Sequence, residues 1–186
     1  MTKIPVNIVI GRFQPFTDGH MYCVLAAKKQ LGINTVICLI DTPDNKVDKR
    51  HPFPSSLLLP IYKDLCNDYN SILDVVLVKN ADIVKIGEIL NDKYIIKSWT
   101  CGTDRIDAYQ KMSEKYKEQA GLADDFQMIE VPRGDEDVSA TKVRRALLDG
   151  DKRTFEKLTP YDTLRSTIKD PDKIYNLLRE QILKIN

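Results

Sequence analysis

One stretch near the amino terminus constrains this chain more than any other: Ile8-Val9-Ile10-Gly11-Arg12-Phe13-Gln14-Pro15-Phe16-Thr17-Asp18-Gly19-His20. It begins as a buried strand, turns at glycine and proline, and runs into the first turn of a helix. A strand that feeds a tight turn and a helix start presents free backbone N–H groups and the positive end of the helix dipole. Both favour a phosphate. Arg12, Gln14 and His20 crowd that place. Such a set suits a nucleoside triphosphate better than a structural turn.

A second segment, Val138-Ser139-Ala140-Thr141-Lys142-Val143-Arg144-Arg145, follows an acidic, glycine-containing loop. It is expected to open a helix with Ser139 as N-cap, the hydroxyl accepting from a free backbone N–H. Thr141 and Arg144, three residues apart, then lie near one another. A hydroxyl, several N–H groups and a guanidinium at one helix start make a second phosphate cradle. Arg144 and Arg145 are consecutive and point about 100° apart on a helix. Arg145 therefore reads as solvated or structural.

The rest of the chain fixes the setting. Its 186 residues fit one domain with a small appendage, and a hydrophobic content of 42% argues against disorder. The net charge of +1 gives no general attraction to nucleic acid or membrane. Cys23, Cys38, Cys66 and Cys101 form no CxxC pair and the chain has only 2 His, which speaks against a zinc site. Reduced thiols, no signal peptide and no long apolar run lead to the expectation of a cytoplasmic protein.

Apolar runs alternate with helical patterns. Strands are expected at Val6–Ile10, Thr35–Ile40, Leu73–Val78, Tyr94–Thr100 and Phe126–Val131. Helices are expected at Asp18–Leu31, at Ser55–Asn67 with Ser55 or Ser56 as N-cap, at Ile83–Asn91, and at Arg105–Gln119. Alternating βα units call for an α/β fold, a Rossmann-like doubly wound parallel sheet with helices on both faces. Ligands of such sheets sit beyond the carboxyl ends of the strands, where strand order reverses. After Leu148 only helices follow. The expected division is a domain over 1–150 and a helical C-terminal extension over 151–186, packed on the same domain. Its last helix starts at Asp170-Pro171-Asp172 and carries Ile174, Leu177, Leu178, Ile182 and Leu183 in one stripe.

The Gly-Arg-Phe-Gln-Pro-Phe-Thr-Asp-Gly-His run resembles the first signature of the HxGH nucleotidylyltransferases, and Ser-Ala-Thr-Lys-Val-Arg resembles their second, ISSTxxR. The order and wide separation of the two also match, and the resemblance covers roughly residues 4–160. The wording of the first is most similar to nicotinamide mononucleotide adenylyltransferases of the archaeal and bifunctional bacterial type.

The resemblance implies an enzyme that joins a nucleoside triphosphate, with ATP the best guess, to a phosphorylated acceptor, releasing pyrophosphate with Mg²⁺. Nicotinamide mononucleotide is the acceptor it suggests. Other acceptors remain open: phosphopantetheine, flavin mononucleotide, or a sugar or polyol phosphate with CTP. So does a non-catalytic nucleotide sensor. No nucleic acid or membrane partner is implied, and a homo-oligomer is compatible with it.

The resemblance also distributes roles. His20, Thr17 and Arg144 take the catalytic places, with His20 donating to a triphosphate oxygen and Arg144 facing the β- and γ-phosphates. Gly11, Arg12, Phe13, Gln14, Gly19, Ser139 and Thr141 take nucleotide-binding places. Trp99, Gly102, Asp104, Arg105 and Lys49 take the acceptor side. Several places depart from the pattern or carry a second reading. Thr17 stands where the commonest pattern has a histidine, as it does in phosphopantetheine adenylyltransferases. Arg12 either caps the triphosphate or makes a surface salt bridge. Asp104 either lies beside the ligand or caps a helix. Trp99 either stacks on an acceptor base or fills core. The basic loop Asp41–Pro54, with Lys46, Lys49 and Arg50, resembles a Lys…Asn-Pro-Phe segment in which His51 replaces Asn. Asp135, Glu136 and Asp137 either hold Mg²⁺ through water or are simply solvated.

Overall fold

Unbroken apolar runs such as Val6–Ile10 and Val36–Ile40 have no polar face to turn to water, so their strands must be covered on both sides. In the computed structural model they form the centre of a five-stranded, wholly parallel sheet. The structure describes residues 2–132, 136–161 and 172–186, and for 136–138 the backbone alone. The strands are β1 (Ile4–Gly11), β2 (Asn34–Ile40), β3 (Ile72–Val78), β4 (Tyr94–Gly102) and β5 (Gln127–Val131). Their order is β3-β2-β1-β4-β5. The chain winds outward from β1 to β3, then returns to the other side of β1. Strand order therefore reverses between β1 and β4, whose carboxyl ends are Gly11 and Gly102. The expected Rossmann-like α/β fold is what the chain adopts.

The helices are α1 (Asp18–Leu31), α2 (Ser55–Asp68), α3 (Ile83–Leu90), α4 (Ile106–Lys115), α5 (Glu136–Asp149), α6 (Lys152–Leu158) and α7 (Lys173–Ile185). Local chemistry sets several ends. Gly32, at φ 66°, takes the left-handed position that closes α1. Asp82 caps α3, accepting from the N–H groups of Val84 and Lys85. Asp151 caps α6 through Thr154 N–H. Some expected caps and ends differ. Neither Ser55 nor Ser56 is the N-cap of α2; Pro54 holds that place, and Ser55 Oγ instead accepts from Thr42 N–H at 2.7 Å. Arg105, not Asp104, precedes α4, with no side-chain cap. Helix α4 stops at Lys115, four residues short of the expected Gln119.

The chain divides into two compact units, each built from separated stretches. The first comprises Met1–Gly11, Cys23–Ile40 and Ser71–Gly134. It holds the sheet and a core of Val6, Ile8, Val36, Cys38, Ile83, Ile86 and Trp99, among others. Burial pushes the Cys38 thiol well above its ordinary range, so it stays protonated. Asn7 is buried among these apolar strands. Its amide donates to Thr35 Oγ1 at 3.0 Å and accepts from Ser98 Oγ at 2.8 Å and Thr100 Oγ1 at 2.9 Å, tying β1 to both neighbours.

The second unit comprises Arg12–Tyr22, Asp41–Asn70 and Asp135–Asn186. Helices α6 and α7 pack on α5 within it. Helix α5 thus shares its packing with the two helices that follow residue 150. The expected α7 stripe buries Ile174, Leu178 and Ile182, and adds Tyr175, while Leu183 faces solvent. Asp170 and Pro171, expected at its start, lie outside the described residues.

In the first unit, Gly87 of α3 lies against the carbonyl of Ala120: a Cβ there would stand 2.2 Å from that oxygen. Gly87→Ala sets a helix-propensity gain of up to about 1 kcal/mol against a clash with backbone that has no rotamer to escape into. We expect the clash to win, with a net loss of about 1–3 kcal/mol in urea unfolding. An unchanged midpoint would show that α3 is not pinned at Ala120.

Candidate active site

The second unit gathers the turn after β1, the basic loop and α5 around one set of cations. Phe13 sets the path of the turn. It is buried and adopts φ 47°, the left-handed region that costs a non-glycine residue about 1–2 kcal/mol. A buried phenol holds the chain there. Tyr62 Oη donates to Phe13 O at 2.7 Å and accepts from Phe16 N–H at 2.8 Å. A second phenol, Tyr161, donates to Phe16 O at 2.5 Å. Burial keeps both hydroxyls protonated, raising each well above the ordinary phenol range.

Gln14 lies inside this turn and its side chain is fully engaged. The amide donates to Phe53 O at 2.8 Å and accepts from Phe53 N–H at 2.9 Å, joining the turn to the basic loop. Gln14 and Phe13 are both buried, and their side chains build the turn. The outward group is the Gln14 carbonyl, which accepts from Arg144 Nη1 at 2.8 Å. That bond joins the second motif to the first.

Thr17 precedes the first residue of α1, and its carbonyl accepts from Met21 N–H at 3.0 Å. Three residues on, His20 Nδ1 accepts from Thr17 N–H at 3.0 Å, with Thr17 Oγ1 at 3.2 Å. This is one half of a capping box, with histidine in place of the usual Glu or Gln. The backbone N–H is an obligate donor, so Nδ1 must carry a lone pair. The neutral ring therefore has its proton on Nε2. Phe13 and Phe16 pack on the imidazole at 4.9 and 5.3 Å between centroids. Thr17 itself is 0% exposed. Its expected role as a phosphate donor is corrected: its groups reach the imidazole, not solvent. Gly19 lies in the first turn of α1, and Gly11 ends β1.

Arg12 is exposed and makes no surface salt bridge among the described residues. It donates to Asp41 O at 3.0 Å and Thr42 Oγ1 at 3.3 Å, which fixes the start of the basic loop. Arg144 is partly buried, and Nη2 donates to Thr141 Oγ1 at 3.3 Å, as the three-residue spacing requires. Burial, helped by the nearby charge of Arg50, makes the Arg144 guanidinium less basic than usual. Arg12 and Arg50 also act on His51. Three guanidinium groups thus lie within electrostatic reach, and among the described residues none pairs with a carboxylate. Like charges held together without a counter-charge make a site for an anion. Arg145, by contrast, pairs with Asp149 at 3.0 Å on the exposed side of α5.

Ser139 is not a cap. It is the fourth residue of α5, because the helix begins at Glu136. Acidic residues suit a first helical turn, and Glu136 and Asp137 extend it beyond the motif. Asp135 and the Glu136 and Asp137 side chains lie outside the described residues, so the metal reading attached to them does too. In the basic loop, Asp48 Oδ1 accepts from His51 N–H at 2.7 Å and Arg50 N–H at 2.8 Å. These bonds, His51's first, hold the Asp48 carboxyl below its usual range. Lys49 beside them is exposed. Gln181 of α7 fastens this loop from below, donating to Pro52 O at 3.0 Å.

The remaining acceptor-side residues belong to the first unit. Gly102 ends β4, and Asp104 and Arg105 form the exposed turn before α4. The stacking role of Trp99 is corrected: the ring is 0% exposed in the sheet core, stacked on Tyr109 at 4.1 Å. Sequence reasoning missed Tyr62, Tyr161, Phe53 and Gln181. Tyr62 shares the buried stripe of Leu58, Ile61 and Leu65 and so reads as core. Only its hydroxyl, on a helix otherwise apolar along that face, was a signal.

Burial is the main cause that lowers the His51 pKa; Asp48 opposes it, and Arg12 and Arg50 add to it. The unfolded chain therefore binds the proton more tightly. Stability conferred by the neutral ring is complete above the unfolded value near 6.5 and falls as pH drops through it. His51→Gln should remove this part of the decline. Urea unfolding of both proteins between about pH 7.5 and 5 checks it; parallel curves would show that His51 carries no such burden.

Similarity to known proteins agrees with this geometry. A family model described as cytidylyltransferase-like matches residues 8–146. No curated protein sequence matches the chain. Among solved structures, a Plasmodium falciparum nicotinic acid mononucleotide adenylyltransferase complexed with APC is similar at 16% identity and TM-score 0.54, over 94% of this chain and 97% of that one. A Francisella tularensis bifunctional NMN adenylyltransferase/ADP ribose pyrophosphatase, complexed with AMP and a Mn ion, is similar at 18% identity and TM-score 0.53. There the match covers 98% of this chain and 52% of that one. At such identities the structures establish the shared fold. Both motifs lie within the matched residues, and the chain belongs to the cytidylyltransferase-like family of the HxGH nucleotidyltransferase superfamily.

Proposed function

We propose that this nucleotidyltransferase uses ATP and transfers the adenylyl group to a phosphorylated acceptor, with nicotinamide mononucleotide the first choice. The observation that carries the reading is the Arg144–Gln14 bond, which seats the second motif on the first beside His20. In the reaction an acceptor phosphate oxygen attacks the α-phosphorus in line. The new P–O bond forms as the α–β bridging bond breaks, and pyrophosphate leaves with the electron pair. An anionic nucleophile needs no general base, so the work is positioning and charge stabilisation. That demand matches a set of cations and N–H donors.

Within it, Arg144 and Arg50 face the phosphates as guanidinium forks. Arg12 holds the basic loop beside them. His20 Nε2–H donates to an oxygen whose charge grows as the bond to the leaving group breaks. The neutral ring has that donor ready because Thr17 N–H occupies the other nitrogen. Mg²⁺ is proposed to arrive on the triphosphate's own oxygens. Among the described residues no cluster of His, Cys, Asp and Glu could hold the ion, so no step is assigned to a protein-held metal.

The acceptor rests on thinner support: the Gly-Arg-Phe-Gln-Pro-Phe wording, and adenylyltransferases of pyridine mononucleotides among the structures of like fold. Pyrophosphate release, measured with each nucleoside triphosphate, Mg²⁺ and a panel of phosphorylated acceptors, tests both substrates. ATP with nicotinamide mononucleotide should give NAD and pyrophosphate. Release only with CTP, or only with another acceptor, would replace the substrates and leave the chemistry. No release with any pair would point to the nucleotide sensor. His20→Ala should lower kcat by about 10²–10³ with a smaller change in ATP affinity, the usual loss for one transition-state donor. Near-normal turnover would remove His20 from the mechanism.

A further inference from the structure

The carbonyl of Phe16 and the N–H of Thr17 belong to one planar peptide group. Both ends of that group are held. Tyr161 Oη donates to its oxygen at 2.5 Å, and its N–H donates to His20 Nδ1 at 3.0 Å. A rigid plane pinned at its oxygen cannot swing its N–H away from the imidazole without breaking the Tyr161 bond. The phenol polarises the same group, which strengthens the N–H as a donor.

Tyr161 is itself firmly placed, 145 residues beyond Phe16. Its ring is buried and stacks on Phe155 of α6 at 5.9 Å. The backbone before it is tied on both sides. Thr159 Oγ1 donates to Phe155 O at 2.8 Å, and Tyr69 Oη donates to Pro160 O at 3.2 Å. Held neutral by burial, its hydroxyl is a fixed donor with no water to exchange against.

We propose that Tyr161 is a positioning residue for His20: through the Phe16–Thr17 peptide group, its hydroxyl keeps the imidazole proton on Nε2. The consequence for turnover rests on the phosphate-donor role given to His20 above. With the proton on Nδ1, the ring would turn a lone pair, not a donor, toward the phosphate. The C-terminal helical region then serves the reaction without touching substrate. Its contribution is the orientation of one peptide plane.

Tyr62 supplies the comparison that separates this role from general support. It grips the same turn through Phe13 O and Phe16 N–H, and neither group belongs to the Phe16–Thr17 peptide. The two hydroxyls also interact with each other, so loss of Tyr62's disturbs Tyr161, but only Tyr161's bonds to the Phe16–Thr17 peptide group and reaches the imidazole directly.

The test uses protein labelled uniformly with ¹⁵N, so that the Thr17 backbone nitrogen and both histidine rings are visible. The chain has 2 His, so His51→Gln assigns the spectrum. Wild type should show His20 as the Nε2–H tautomer, with a scalar coupling across the hydrogen bond from Thr17 N to Nδ1. In Tyr161→Phe the coupling should weaken and the Nδ1–H tautomer appear, while Tyr62→Phe, which disturbs Tyr161 only through its hydroxyl, should shift the pattern less. In steady state, Tyr161→Phe should lose about tenfold in kcat with KM for MgATP changed less than about twofold, the split expected when only a transition-state contact is lost. An unchanged tautomer in Tyr161→Phe, or equal shifts in both variants, overturns the proposal. So does absence of the coupling in wild type, a measurement that requires no variant to fold. The ring spectra are read without turnover. Lack of activity in wild type would sink the proposed reaction, while an active Tyr161→Phe protein with normal kcat and normal tautomer would sink only the role of Tyr161.

Discussion

A single hydrogen bond, from the guanidinium of Arg144 to the carbonyl of Gln14, decides whether the two motifs of this chain make one site. Its geometry is set from the acceptor side. The Gln14 carbonyl is presented because Phe13 takes a left-handed conformation and Gln14's own amide is anchored on Phe53. Phe13 stays there because Tyr62 satisfies the backbone groups that the turn strips from water. An unpaired buried carbonyl or N–H costs about 1–3 kcal/mol, comparable to the strain at Phe13. The two buried phenols are thus what makes a strained turn tolerable. A strained turn in turn lets a carbonyl, rather than a carboxylate, receive Arg144.

That choice of acceptor matters. A carboxylate in the same place would neutralise the guanidinium and weaken its hold on phosphate. A neutral carbonyl orients it and leaves its charge uncancelled. Arg12 is treated the same way, held by the Asp41 carbonyl and the Thr42 hydroxyl. The cluster of Arg12, Arg50 and Arg144 therefore carries self-repulsion in the folded protein. Burial is the main reason Arg144 is less basic than usual, and the charge of Arg50 adds to it. A polyanion relieves that repulsion on binding, so part of the affinity is stored beforehand in the fold.

The parts legible in the sequence were those written in local pattern. Alternating apolar runs and helical periodicity gave the five strands and their parallel order, because each βα unit is a local decision. The first motif was equally plain, since Gly11 to His20 is one contiguous turn. What stayed hidden depends on partners distant in the chain. Ser139 looks like a cap from its own neighbours, yet the residues ahead of it continue the helix. Trp99 and Gln14 look like ligand contacts by residue type, and become core and clamp once Tyr109 and Phe53 are placed against them. Tyr161 follows a Thr-Pro break and carries no pattern at all; its meaning lies in a carbonyl 145 residues earlier.

Thr17 shows how the site accommodates departure from the family pattern. Where a histidine would offer a second ring, this chain has a short β-branched residue that is wholly buried. Its backbone does the work that matters for chemistry. The Thr17 N–H defines the tautomer of His20, and its carbonyl starts α1. A backbone donor has a property no side chain shares, since it cannot be titrated or rotated into another rotamer. With one imidazole in place of two, the donor on the ring nitrogen that Thr17 does not contact is a single Nε2–H. Its direction depends on a peptide plane, and the plane on the groups that hold its oxygen. With Thr17 where the family pattern has a histidine, the orientation of the His20 ring rests on backbone. This is why residues far from the motif, on α2 and after α6, belong to the working parts of the site.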